Sequence, residues 1–104
     1  MKKYKIFLTQ TFESKLENTE KSFKNWFEKI LDQITENPFV GKPLSVKWFR
    51  EKKFKKYRIY YLVYKNVQSV YIVNLSDKKD QQKIINSILL LLDVYKKEIE
   101  EIQG

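Results

Sequence analysis

Eight consecutive residues, Tyr57 to Tyr64 (YRIYYLVY), restrict this chain more than any other stretch. Their aromatic and β-branched content favours an extended backbone. Both alternating sets, Tyr57/Ile59/Tyr61/Val63 and Arg58/Tyr60/Leu62/Tyr64, are largely apolar. A strand presents one set to each side of its sheet, so this one has to be covered on both faces. It is expected at the centre of a sheet.

The neighbouring segments supply partners. Lys65-Asn66 reads as a hairpin turn leading to a strand from about Ser69 to Leu75. Upstream, the basic segment Trp48 to Phe54 is expected to form a third antiparallel strand. Side-chain alternation puts Arg50 and Lys52 on one face and Lys53 on the other. A three-residue loop, Phe54 to Lys56, sets Lys52 opposite Arg58 and Arg50 opposite Tyr60, so that three cations and a tyrosine share a face. A two-residue loop, Lys55-Lys56, sets Lys53 beside Arg58 instead. The three-residue loop is the expected one, because it gives Arg58 a reason to stand in so apolar a strand.

The remaining elements follow from period and punctuation. Lys5 to Thr9 reads as a short first strand, with Phe7 hinting at burial on both faces. From Thr11 the period becomes helical. Two helices, or one bent helix, fill residues 11–36, with an apolar stripe at Phe23, Trp26, Phe27, Ile30, Leu31 and Ile34. Asn37-Pro38 ends it, since the residue before proline is pushed out of the α region. NPFVGKPL is then a loop. After Leu75, Ser76 or Asp77 can cap a last helix that runs almost to Gly104, with Lys78 and Lys79 beside its free N–H groups. Ile85, Ile88, Leu92, Tyr95, Ile99 and Ile102 form its heptad stripe. Its first half is expected to pack on the sheet, and its last turns to extend past the body.

Length and composition set limits on function. A chain of 104 residues is one domain's worth, taken here as residues 1–104. A net charge of +8 points to an anionic partner without naming it. With no cysteine and no histidine, thiol catalysis, thiolate zinc sites and the usual general base are excluded. Acid–base work falls to Lys, Tyr, Asp or Glu, and no cofactor or metal is expected. The longest apolar run, Ile88 to Leu92, is far short of a membrane span, and the N-terminus lacks a signal-peptide core. A cytoplasmic location with no membrane partner is the expectation.

The order of strand, two helices ending in NP, GKPL, a basic strand, YRIYYLVY, VYIVNLSDKKD and a final helix resembles the RelE/ParE superfamily of type II toxins. That resemblance covers nearly the whole chain. It implies an α+β fold of order β-α-α-β-β-β-α, with a mainly antiparallel sheet, an N-terminal helical hairpin and a long C-terminal helix. It also implies a cognate antitoxin, acidic and folding on binding, with which a hetero-tetramer can form. In the RelE branch it implies a ribosome-dependent endoribonuclease that cuts mRNA by attack of a ribose 2′-hydroxyl on the adjacent phosphate.

On the matching positions, the resemblance assigns catalysis to Arg50, Lys52, Arg58 and Lys78 (or Lys79). Arg58 and Arg50 would clamp phosphoryl oxygens. Lys52, set among like charges, would accept the proton, and Lys78 would position the leaving side. Lys53, Lys55, Lys56, Tyr60 and Lys79 are the accompanying RNA-binding candidates, Tyr60 as a stacking face. Several RelE-type nucleases carry a tyrosine at the start of the last helix, where this chain has Gln81 and Gln82. The plain alternatives are a lysine-protected strand edge for Arg50 to Lys56 and a structural ion pair for Arg58. A gyrase-binding ParE-like toxin and an inactive antitoxin-binding member are the alternative functions.

Overall fold

The computed structural model describes residues 3–103. Its centre is a five-stranded sheet of order β1-β5-β4-β3-β2, built from β1 (Lys5–Leu8), β2 (Lys42–Leu44), β3 (Val46–Phe54), β4 (Tyr57–Tyr64) and β5 (Ser69–Asp77). Only the β1–β5 pair is parallel. Strand β4 lies in the middle, as its doubly apolar sequence requires, and Ile59 to Leu62 are wholly buried.

Each face of the sheet has its own helical cover. Helices α1 (Gln10–Glu17) and α2 (Lys21–Glu36) precede β2, and Phe12, Phe23, Phe27, Ile30 and Ile34 pack on Ile59, Tyr61, Val63, Val70 and Ile72. Helices α3 (Gln81–Leu90) and α4 (Leu92–Gln103) follow β5, placing Ile85, Ile88, Tyr95 and Ile99 against Phe49, Tyr60, Leu62, Tyr71 and Val73. Phe7 joins this second layer while Ile6 and Leu8 join the first, so β1 is also covered on both sides.

Three expectations are corrected. The last helix is two helices. At Leu91 the backbone leaves helical ψ, its N–H bonding the Ile88 carbonyl at 3.0 Å, and α4 starts anew. A straight helix over residues 81–103 would be about 34 Å long and would run off the sheet. The break lets Ile85 and Ile88 in the first half and Tyr95 and Ile99 in the second be buried, while Ile102 stays 51% exposed. The last turns therefore do not extend past the body: Ile99 is 1% exposed, and the Gln103 amide donates to the Ser69 hydroxyl. The NPFVGKPL segment is not simply a loop either. A 3-10 turn at Pro38–Val40, with the Asn37 side chain accepting from the Phe39 N–H, leads into edge strand β2.

Strand β5 carries a bulge that decides what faces what. Tyr60 pairs with Asn74 but Tyr61 with Ile72, so Val73 is the extra residue. The Thr9 hydroxyl donates to the Val73 carbonyl at 2.8 Å, and the Lys15 ammonium donates to Asn74 Oδ1 at 2.6 Å and the Leu75 carbonyl at 3.2 Å. Alternation reverses past this point, which turns Leu75 toward α1 and α2 and Ser76 toward Tyr60. Burial lowers the Lys15 amine below its ordinary value, with the Asp80 charge opposing.

Candidate functional site

The turn between β3 and β4 has two residues, Lys55 and Lys56, and Lys55 adopts a left-handed φ of 53°. Phe54 thus pairs with Tyr57, Lys53 with Arg58, Lys52 with Ile59, Glu51 with Tyr60 and Arg50 with Tyr61. The expected three-residue loop is wrong by one position, and one position inverts every face. Arg58, Lys53 and Glu51 stand on the side covered by α3 and α4. Arg50 and Lys52 stand on the other.

Arg50 is committed to the scaffold. It is 8% exposed, and its guanidinium donates to the carbonyls of Gly41 (Nε 3.0 Å, Nη2 2.6 Å), Phe39 (Nη2 2.8 Å) and Lys47 (Nη1 2.9 Å). It also lies 5.2 Å from the centre of the Phe39 ring. A planar fork of donors suits this task. It binds the segment from Phe39 to Gly41 onto β3, leaving no free edge for a phosphate clamp. Gly41 is needed there for close approach: an added Cβ would meet the Glu51 carbonyl and the Tyr61 hydroxyl at 2.6 Å each. The Gly41 N–H donates to that hydroxyl at 3.0 Å.

On the opposite face a cleft of about 630 Å³ is lined by Val40, Gly41, Lys42, Glu51, Lys52, Lys53, Arg58 and Gln81. Arg58 is 6% exposed, and its Nη1 donates to the Lys56 carbonyl at 3.1 Å. Its Nε lies 3.8 Å from Glu51 Oε1, and the same oxygen accepts a 2.8 Å hydrogen bond from the Gln81 amide. Lys42 pairs with Glu51 across β2 and β3 and so shares its face. Lys52 reaches the cleft from its rim although its strand position faces the other way. The cleft thus holds a buried arginine, a buried carboxylate and three lysines.

The remaining candidates fall outside it. Tyr60 has no exposed face for base stacking: it is wholly buried, and its hydroxyl shares a 2.7 Å hydrogen bond with Ser76. Burial raises its phenol above the ordinary value, the Ser76 bond opposing. Lys55 and Lys56 are exposed on the turn, their ammonium groups over the rings of Phe54 and Tyr57 at 5.3 and 5.2 Å. Lys78 and Lys79 are exposed after β5 at the same end of the sheet but do not line the cleft. The residue at the helix cap is Asp80, not Ser76 or Asp77; Asp77 Oδ1 instead accepts from the Asp80 N–H at 3.0 Å.

Glu51, Lys42 and Gln81 were missed by the sequence reading. Glu51 was within reach, since the two-residue turn puts it diagonal to Arg58 on one face. Lys42 and Gln81 come from β2 and α3, which no local pattern places beside β3. A second, more apolar cleft of about 550 Å³ lies at the other end of β4 among Trp48, Tyr64, Lys65 and Leu92, far along the strand from Arg58. Among the described residues no cluster of acidic side chains could hold a metal ion, and no helix is long and apolar enough to cross a membrane.

The architecture has known counterparts. The RelBE toxin–antitoxin complex of E. coli is similar at a TM-score of 0.65 and 15% identity, over 71% of this chain and 95% of that one. A mutant E. coli RelE toxin in the free state gives 0.68 and 14%, over 77% and 88%. A RelBE toxin–antitoxin complex from Mycobacterium tuberculosis gives 0.62 and 20%, over 72% and 98%. These likenesses establish the fold. No curated protein matches the sequence. A family model described as the ParE toxin of the type II toxin-antitoxin system parDE matches residues 5–88, most of the chain. With its sheet, its helical layers and that match, this chain belongs to the RelE/ParE superfamily of type II toxin–antitoxin toxins.

Proposed function

We propose that the chain is a ribosome-dependent endoribonuclease that cleaves mRNA and so stops translation in the cytoplasm. The observation that carries this is the cleft itself: Arg58 and Glu51, both nearly buried, sit side by side under Lys42, Lys52 and Lys53. In a chain without histidine, that set provides both a proton acceptor and fixed positive charge. Glu51, rather than Lys52, takes the proton from the ribose 2′-hydroxyl. The 2′ oxygen bonds to phosphorus, the bond from phosphorus to the 5′ oxygen breaks, and one of the lysine ammonium groups supplies that oxygen's proton. The products are a 2′,3′-cyclic phosphate and a 5′-hydroxyl. Arg58 stabilises charge on the phosphoryl oxygens, and the exposed Lys53, Lys55, Lys56, Lys78 and Lys79 hold the RNA backbone around the cleft.

Arg50 serves this site only by holding the segment before β2 in place. The partner that restrains the toxin is an antitoxin, a reading supported by the toxin–antitoxin complexes among its structural relatives, and the +8 charge favours an acidic one that folds on this surface. The test is mRNA cleavage in a translating cell-free system, with new 5′ ends mapped against the reading frame. Cuts in phase with codons that vanish in Arg58→Ala support the nuclease. Intact mRNA would reject it.

A second reading has one observation in its favour, the match to a ParE toxin model. A gyrase-directed toxin would leave mRNA whole, stop DNA supercoiling and tolerate loss of the charges at Lys52 and Lys53.

A further inference from the structure

The Glu51 carboxylate is held on one side only. Oε1 takes the 2.8 Å hydrogen bond from the Gln81 amide and faces Arg58 Nε at 3.8 Å. Oε2 has no hydrogen-bond partner among the described residues, yet is not among the buried atoms left unsatisfied there, so it meets the open cleft. Gln81 is well placed to act as an anchor. It is the first residue of α3, whose Ile85 and Ile88 are buried against the sheet, and the turn before it is tied by Asp77 to the Asp80 N–H. Its neighbour Gln82 is exposed and bonds along its own helix to Asn86 at 2.9 Å.

We propose that Gln81 is a positioning residue for the proton acceptor: its amide occupies Glu51 Oε1 and thereby turns Oε2 toward the attacking 2′-hydroxyl. The inference rests on the nuclease reading of the cleft. Its chemistry is that of an orienting second group behind a catalytic base, where an N–H donor fixes the rotamer that a lone carboxylate would otherwise lose. Arg58 alone cannot do this, because at 3.8 Å its Nε attracts the carboxylate without fixing a direction.

The test is single-turnover cleavage of mRNA on purified ribosomes, measured with toxin in excess, beside toxin–ribosome affinity. Gln81→Ala is expected to slow cleavage about tenfold while leaving affinity within about twofold. Gln81→Glu, which sets a second carboxylate against Glu51, is expected to slow it about a hundredfold. In a Glu51→Ala background Gln81→Ala should cost nothing further, since the two act as a unit. Gln82→Ala controls for damage to α3 and should match the wild type. An undiminished Gln81→Ala, or a full additional loss in the Glu51→Ala background, overturns the proposal. The Glu51 side-chain carboxyl 13C resonance gives a reading that needs no cleavage: it should move in Gln81→Ala and stay in Gln82→Ala. A wild type that cuts nothing rejects the nuclease, whereas an unmoved Glu51 resonance rejects the positioning itself.

Discussion

The Glu51 carboxylate approaches the Arg58 guanidinium to 3.8 Å, and each side chain is only 7% exposed. Two charges in so little water are tolerated because each has other partners, the Lys56 carbonyl for Arg58 and the Gln81 amide for Glu51. Removing one partner leaves the other charge desolvated and unpaired. Glu51→Leu alone should therefore destabilise the fold by about 3 kcal/mol, and Glu51→Leu with Arg58→Leu by clearly less. Urea unfolding of the two single variants and the double variant measures this. Single variants within about 0.5 kcal/mol of the wild type would mean that the pair is solvated.

Arg50 and Arg58 should separate cleanly in assays. Arg50→Lys keeps the charge but cannot reach the carbonyls of Phe39, Gly41 and Lys47 together. A loss of about 2–4 kcal/mol in stability is expected, consistent with several buried acceptors left unpaired. Arg58→Lys, by contrast, should reduce cleavage far more than it lowers the melting temperature. Thermal unfolding and cleavage measured side by side distinguish the two effects.

Gly41→Ala tests the close approach of the residue before β2 to β3 and β4. Its methyl group would lie 2.6 Å from the Glu51 carbonyl and the Tyr61 hydroxyl, neither of which can move without breaking the sheet edge or the Gly41–Tyr61 hydrogen bond. Overpacking of this kind costs about 1–3 kcal/mol. The φ of −77° at Gly41 is open to any residue, so a cost near zero would mean that the strand edge yields.

Five of the seven tyrosines, Tyr60, Tyr61, Tyr64, Tyr71 and Tyr95, have phenols raised by burial. For Tyr71 the hydrogen bond to Glu98 and that residue's charge add to the effect. The unfolded chain ionises these groups near about pH 10, below their values in the fold. Their contribution to stability is therefore complete below that pH and disappears as pH rises through the folded values. Phenolate absorbance during alkaline titration should lag behind that of the denatured chain and then rise together with loss of the circular-dichroism signal. A smooth titration overlaying the denatured chain's would contradict this.

The fold was legible where burial and period agree. YRIYYLVY demanded two covered faces and occupies the sheet centre; the Phe23, Phe27, Ile30 and Ile34 stripe and the Asn37-Pro38 stop marked α2. The candidate site was legible only in part. Arg58, Lys52 and Lys53 do reach one cleft, but the two-residue Lys55-Lys56 turn shifts the register by one and moves Arg50 to the other face, while Tyr60 keeps the face of Arg58 and is buried there under α3 and α4.

Residue types and their spacing are local properties, and they were enough to settle four of the five strands, the helical segments and which strand is central, but not edge strand β2 or the break at Leu91. Side-chain alternation makes a sheet's register all-or-none, so the identity of the residue opposite Arg58 depended on a turn whose two forms differ by a single position. Only the folded chain decided that, and only it brought Lys42, Glu51 and Gln81 together from β2, β3 and α3. The same holds for Arg50, whose charge reads as catalytic in isolation and whose donors are taken by carbonyls that tertiary packing carries to it.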